Sequence, residues 1–195
     1  RAFWTTVTEN RTYATGGVGE GEMFQGYREI GKLLTASTQE TCASYNMLKL
    51  TRELYQMDPD SRYMDYYEKT LYNHILATPD ESGSGESTYF FPLGPGMKRE
   101  FLFENSCCHG TGMESHFKYQ EGMYFQKRDA FFINMYIPSE FSQDDMKLHM
   151  ECVSQRRQEY ELSIQNSTFR KLYLRYPEWA DECLLEMDGE VLETK

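Results

Sequence analysis

The chain has 195 residues, with 31 Asp and Glu against 20 Lys and Arg, for a formal net charge of −11 and a pI of about 4.9. That balance argues against nucleic acid and anionic membrane surfaces as partners. No apolar run approaches the roughly 20 residues of a membrane span, and the length suits one or two modest domains.

In chain order, residues 1–12 read as the tail of a helix. Arg1 is not an initiator Met, and both ends read as cuts within a longer protein. Ser44, Met47, Leu48, Thr51, Leu54 and Tyr55 share one face of a helix expected over 42–57. Asp58-Pro59-Asp60 ends it, because a proline disfavours helical geometry in the residue before it. A second helix is expected over 61–77, with Tyr63, Tyr67, Leu71 and Ile75 as its stripe, so the pair forms an antiparallel hairpin. Residues 78–100 are rich in Pro and Gly and read as loop, with a short strand at Tyr89–Phe91. A third helix is expected over 112–127, opened by a capping box of Thr111 and Glu114.

After residue 130 the apolar period drops to two. The runs 131–137, 146–152, 159–165, 170–176 and 183–187 read as five strands, with Asp188-Gly189 as a hairpin turn ahead of Val191. The fold class expected is α+β and multidomain, with a helical domain over 1–130 and the start of a β-sandwich over 131–195.

Metal-type side chains concentrate at Glu40-Thr41-Cys42 and at Cys107-Cys108-His109. Positions two apart on a helix point to opposite sides, so Glu40 and Cys42 can share an ion only where the backbone is extended or irregular. Three thiolates and one carboxylate suit a tetrahedral zinc site. On spacing alone, buried free thiols are the favoured reading over zinc. An odd total of five cysteines makes no complete disulfide set. Cys107 and Cys108 stand just ahead of the expected third helix, whose N-terminus favours thiolate. Cys152 and Cys183 read as strand core, His109 as a loop residue and His116 as a helix-surface residue. The 15 Tyr and 12 Phe suit sugar clefts, but ordinary core is the favoured reading.

The segments TGGVGEGEMF (15–24), ETCASYNMLKLTRELY (40–55), DYYEKTLYNHILA (65–77), YFFPL (89–93), CCHGTG (107–112) and LRYPEW (174–179) occur in an order that resembles the β-L-arabinofuranosidases of glycoside hydrolase families 127 and 146. The details after the cysteine pair are similar to family 146. The resemblance implies an (α/α)6 barrel followed by β-sandwich domains, of which this chain carries the C-terminal part of the barrel and the start of the sandwich. It implies a retaining glycosidase acting on a carbohydrate bearing arabinofuranosyl groups, with zinc as cofactor.

Carried over to this sequence, Cys107 is the nucleophile and Glu22 the general acid/base. Glu40, Cys42, Cys107 and Cys108 hold the zinc, and Glu68 and Tyr89 contact the sugar. A glycan-binding or inactive piece of the same fold is the alternative reading. A partial barrel is expected to self-associate or to pair with its missing half. The compartment stays open.

Overall fold

The computed structural model describes residues 1–102, 104–165 and 169–192. The chain divides into two compact units, Arg1–Phe125 and Gln126–Lys195.

In the first unit, α1 (Ala2–Asn10) falls within the helix tail expected over 1–12, and α2 (Thr41–Met57) and α3 (Ser61–Asn73) start within a residue of where the apolar periodicity places them. The buried side chains of α2 include all six of the expected stripe, together with Thr41 and Tyr45. Asp58 leaves the helix in extended geometry ahead of Pro59. Asp60 then caps α3 by accepting from the Arg62 N–H at 3.1 Å, satisfying one of the orphan donors of a helix start. An aromatic cluster ties the three helices together. Trp4 lies edge-on to Tyr63 at 4.7 Å and to Tyr66 at 5.8 Å, and its indole N–H donates to Thr51 Oγ1 at 2.7 Å. The second helix is shorter than expected: α3 ends at Asn73, and a 3-10 turn (Ile75–Ala77) replaces its last turn.

The third helix departs most from expectation. It runs over Cys107–His116 as α4, five residues ahead of its expected start, with Ser106 in extended geometry as its N-cap. Thr111 therefore lies inside the helix. Its hydroxyl donates to the Cys107 and Cys108 carbonyls, both at 3.2 Å, so it caps nothing. Glu114 pairs with Lys118 one turn on. A 3-10 turn (Tyr119–Gly122) follows, and β3 (Tyr124–Lys127) occupies the residues expected to finish the helix. A Cβ on Gly122 would lie 2.6 Å from the ring of Tyr67, so only glycine lets the turn pack against α3.

The short strand foreseen at Tyr89–Phe91 lies just upstream: β1 (Ser87–Thr88) pairs antiparallel with β2 (Phe101–Leu102). Residues 89–91 pair instead with the start of α2, through a bridge between Glu40 and Phe90.

The second unit holds two three-stranded sheets. One has the order β3-β4-β8, with β4 (Ala130–Ile133) and β8 (Lys171–Leu174) parallel. The other is an antiparallel meander of β5 (Ser139–Gln143), β6 (Met146–Ser154) and β7 (Glu159–Gln165). Met146, Leu148 and Met150 of β6 are buried in strict alternation. Phe131 of the first sheet meets Phe141 of the second at 5.8 Å between ring centroids. A hairpin of β9 (Leu185–Met187) and β10 (Glu190–Leu192) turns on Asp188 and Gly189, both with positive φ. The cysteines foreseen as core here are not in it. Cys152 is half-buried on β6, and Cys183 is exposed and outside any strand.

Candidate active site and metal centre

Three backbone segments meet at one point. The first is the loop Thr12–Met23, the second is Thr38–Glu40 leading into α2, and the third is Thr88–Leu93. The Gln39 and Glu40 N–H groups donate to the Gly19 and Val18 carbonyls at 2.8 and 3.1 Å, and the Thr41 N–H donates to the Tyr89 carbonyl at 3.1 Å. Backbone hydrogen bonds between segments far apart in sequence fix where the side chains beside them emerge.

Glu40 is the N-cap of α2, with φ −65° and ψ 129°. Because that residue is extended, it and Cys42 can face the same point even though they are two positions apart. α4 supplies the other side, with Cys107 and Cys108 as its first two residues. The thiols thus stand in the first helical turn rather than ahead of it, where backbone N–H groups and the helix dipole favour negative charge. One ligand atom from each of Glu40, Cys42, Cys107 and Cys108 lies within 4.8 Å of all the others, with Cys108 Sγ 3.8 Å from Glu40 Oε1. Tetrahedral zinc with ligands at ~2.0–2.3 Å sets its donors about 3.3–3.8 Å apart. The donor set and spacing therefore fit such an ion after small side-chain shifts. Among the described residues this is the one group of three or more His, Cys, Asp or Glu side chains arranged to hold a metal.

The electrostatics point the same way. Burial raises the pKa values of Cys42, Cys108 and Glu40, and the charge of Glu22 adds to the rise at Glu40. Several potential anions thus crowd a space that resists their charge, a conflict that a bound cation offsets. Cys107 differs. It is exposed, and its contact with the Tyr89 hydroxyl lowers its pKa. The same contact, with the bond to Glu22, raises the pKa of the Tyr89 phenol, so Tyr89 keeps the proton it donates to Glu22.

Glu22 sits at the tip of a tight turn in which Glu20 and Met23 exchange both backbone hydrogen bonds, at 3.0 and 3.2 Å. Gly21 and Glu22 take φ of 55° and 65°, the left-handed pair of a type I′ turn. The exposed carboxylate accepts from the Tyr89 hydroxyl at 2.5 Å, and that hydroxyl lies 3.4 Å from Cys107 Sγ. Glu22 Oε1 and Cys107 Sγ are therefore less than about 6 Å apart, a bound that accommodates the ~5–5.5 Å between the two carboxyl groups of retaining glycosidases.

Six sequence-derived candidates, Glu22, Glu40, Cys42, Tyr89, Cys107 and Cys108, thus form one hydrogen-bonded or close-packed constellation. Glu68 is buried on α3, 7 % exposed, and stands outside the metal-type cluster. His109 is half-buried inside α4 rather than in a loop. Its Nε2 donates to the Ser87 carbonyl at 3.2 Å, and Nδ1 accepts from the Ser106 hydroxyl at 2.5 Å. His116 is half-buried at the end of α4, stacked edge-on against Tyr119. Sequence reasoning missed Thr111, whose hydroxyl contacts Cys42 Sγ at 3.2 Å. Its one sequence signal, the Ser/Thr-x-x-Glu spacing, pointed to a helix cap instead.

Residues 1–121 match the family described as the β-L-arabinofuranosidase GH127 catalytic domain. The chain belongs to that family. A non-reducing-end β-L-arabinofuranosidase from Bifidobacterium longum subsp. longum is 28% identical to this GH127 chain over 78 residues, covering 40% of this chain and 12% of the relative. The crystal structure of a GH127 β-L-arabinofuranosidase from Geobacillus stearothermophilus T6 is 26% identical with a TM-score of 0.77, covering 97% of this chain and 33% of that one. A second solved GH127 β-arabinofuranosidase has a TM-score of 0.76 at 24% identity, covering 98% and 34%. The GH127 chain thus spans about a third of the length of the solved structures it matches.

Proposed function

We propose that this chain carries the catalytic centre of a retaining glycoside hydrolase that releases β-L-arabinofuranose-type residues. The observation that carries the reading is the Glu22–Tyr89–Cys107 chain of contacts beside a three-thiol, one-carboxylate cluster. On this reading residues 1–130 are part of an (α/α)6 barrel and 131–195 the start of a β-sandwich domain.

In the first step Glu22 protonates the glycosidic oxygen as the Cys107 sulfur attacks the anomeric carbon, so a C–S bond forms and the C–O bond breaks. In the second, the Glu22 carboxylate takes a proton from water. The water oxygen bonds to the anomeric carbon and Cys107 leaves as thiolate. Two inversions give net retention. Glu40, Cys42, Cys107 and Cys108 would hold zinc. The chemistry such an ion supplies is charge neutralisation, which keeps the sulfurs ionised and makes Cys107 a better leaving group. Thr111 hydrogen-bonds the Cys42 sulfur, and Tyr89 holds Cys107 and Glu22 in register. Glu68 and Tyr89 contact the sugar.

The test is hydrolysis of an aryl β-L-arabinofuranoside by the full-length protein that contains this chain, with the anomer of the first product read by NMR. Cys107→Ser and Glu22→Gln are expected to lower kcat by about 10²-fold or more without loss of fold. A Cys107→Ser protein with the wild-type rate, or an inverted product, would sink the mechanism.

A further inference from the structure

The glycine-rich stretch Thr15–Gly19 contributes no side chain to the chemistry above, and its work becomes visible at Gln39. Gln39 is completely buried, with φ of 56°, in the left-handed region that a non-glycine residue rarely adopts. Its side-chain amide is held at both ends. Oε1 accepts from the Thr15 hydroxyl, and Nε2 donates to the Phe91 carbonyl at 3.1 Å. Its backbone N–H donates to the Gly19 carbonyl at 2.8 Å, and its own carbonyl accepts from the Phe91 N–H at 3.1 Å.

Two glycines make this socket possible. A Cβ on Gly17 would stand 2.8 Å from Gln39 Cγ and Cδ, so any other residue there would displace the amide. Gly16, at φ 89°, lies so close to α3 that its Cβ would meet Thr70 Cα at 2.8 Å. Its carbonyl accepts from the Tyr66 and Thr70 hydroxyls at 3.1 and 3.2 Å. The loop is therefore anchored to α3 and closed around Gln39.

The residue after Gln39 is Glu40. We propose that Gln39 is a positioning residue for the carboxylate of the metal cluster. The Thr15–Gly19 socket locks it, so changes in the loop alter metal affinity without touching a ligand. The inference rests on reading Glu40, Cys42, Cys107 and Cys108 as a metal site. The left-handed turn at Gln39 makes Glu40 leave its socket extended and face the thiols. The same loop carries Glu22, so one buried amide ties the acid/base turn, the Tyr89 segment and the metal carboxylate together.

The experiment uses the full chain and compares wild type with Gln39→Glu, Thr15→Val and Thr15→Ser. Gln39→Glu is isosteric but turns an oxygen toward the Phe91 carbonyl. Thr15→Val removes the donor to Oε1, and Thr15→Ser keeps it. Zinc dissociation constants are measured by competition with a chromophoric chelator, and Co²⁺-loaded protein is examined by absorption. The expected result is at least tenfold weaker zinc binding for Gln39→Glu and Thr15→Val, with Thr15→Ser unchanged. The cobalt ligand-field bands should shift while the thiolate charge-transfer bands persist, because the carboxylate is displaced and the sulfurs are not. Folded Thr15→Val protein with the wild-type constant and cobalt spectrum overturns the proposal, and it decides alone if Gln39→Glu fails to fold. Wild-type protein that binds no zinc overturns the metal reading beneath it, which separates the two failures.

Discussion

The hydroxyl of Tyr89 donates to Glu22 across 2.5 Å, joining residues 67 positions apart, and the same oxygen lies 3.4 Å from the Cys107 sulfur. One phenol therefore bridges the two groups proposed to flank the anomeric carbon, and it lowers the pKa of Cys107. Removing it leaves Cys107 without the contact that most lowers its pKa. Tyr89→Phe is expected to move the pH midpoint of Cys107 alkylation upward in chelator-treated protein. Iodoacetamide labelling resolved by tandem mass spectrometry measures this, and an unchanged midpoint would show that the thiol is not tuned from this side.

Metal binding should itself depend on pH. Burial raises Cys42 and Cys108, so both are protonated near neutrality when no ion is bound, and each must lose a proton to become a ligand. Zinc affinity is expected to climb between pH 6 and 8 by about tenfold or more per unit, with proton release on titration. Calorimetry in buffers of different ionisation enthalpy counts those protons. A pH-independent affinity would mean that the thiols are not the ligands.

The Trp4–Thr51 bond offers a test of the helical core. Thr51 accepts from the indole at 2.7 Å and donates to the Met47 carbonyl at 2.6 Å, all within fully buried surroundings. Thr51→Val keeps the shape and strands the indole N–H. The expected loss is about 1–3 kcal/mol of stability, read as a lower denaturation midpoint at constant m-value. A neutral effect would place water or another acceptor beside Trp4.

His74 sets an acid limit on the same unit. It is fully buried, its Nδ1 2.9 Å from Ser44 Oγ, and burial pushes its pKa down to about 3 from 6.5. The unfolded chain takes up a proton near pH 6.5 that the folded chain refuses until about pH 3. The contribution is therefore fully present above pH 6.5 and lost as pH falls through that window, by at most ~1.4 kcal/mol per pH unit. His74→Gln should flatten the slope of unfolding free energy between pH 6.5 and 4.5. Parallel slopes for the two proteins would show that other groups account for acid lability.

The contrast between α2 and α4 shows what was legible in the sequence. α2 carries six apolar or small positions at helical spacing and a proline just past its end, and the structure starts and stops it within a residue of expectation. α4 has no apolar stripe, and its start depends on Ser106 and on the bonds of His109 to Ser106 and Ser87. A local pattern could only point to Thr111 and Glu114, which have other partners. Parallel pairing of β4 with β8 was equally hidden, because alternation reports which face a strand buries and not which neighbour it takes.

Taken alone, the sequence determined the helical hairpin, the change of period near residue 130, the identity of the metal-type side chains and the family motifs, since each is written in adjacent or periodically spaced residues. Only the tertiary structure decided that Glu40 and Cys42 face Cys107 and Cys108, that Glu22 reaches Tyr89, and that a glycine loop closes on Gln39. Those facts depend on backbone hydrogen bonds between segments tens of residues apart and on left-handed turns at Glu22 and Gln39. No local propensity encodes which distant carbonyl an amide will find, because the compact fold settles that choice through burial.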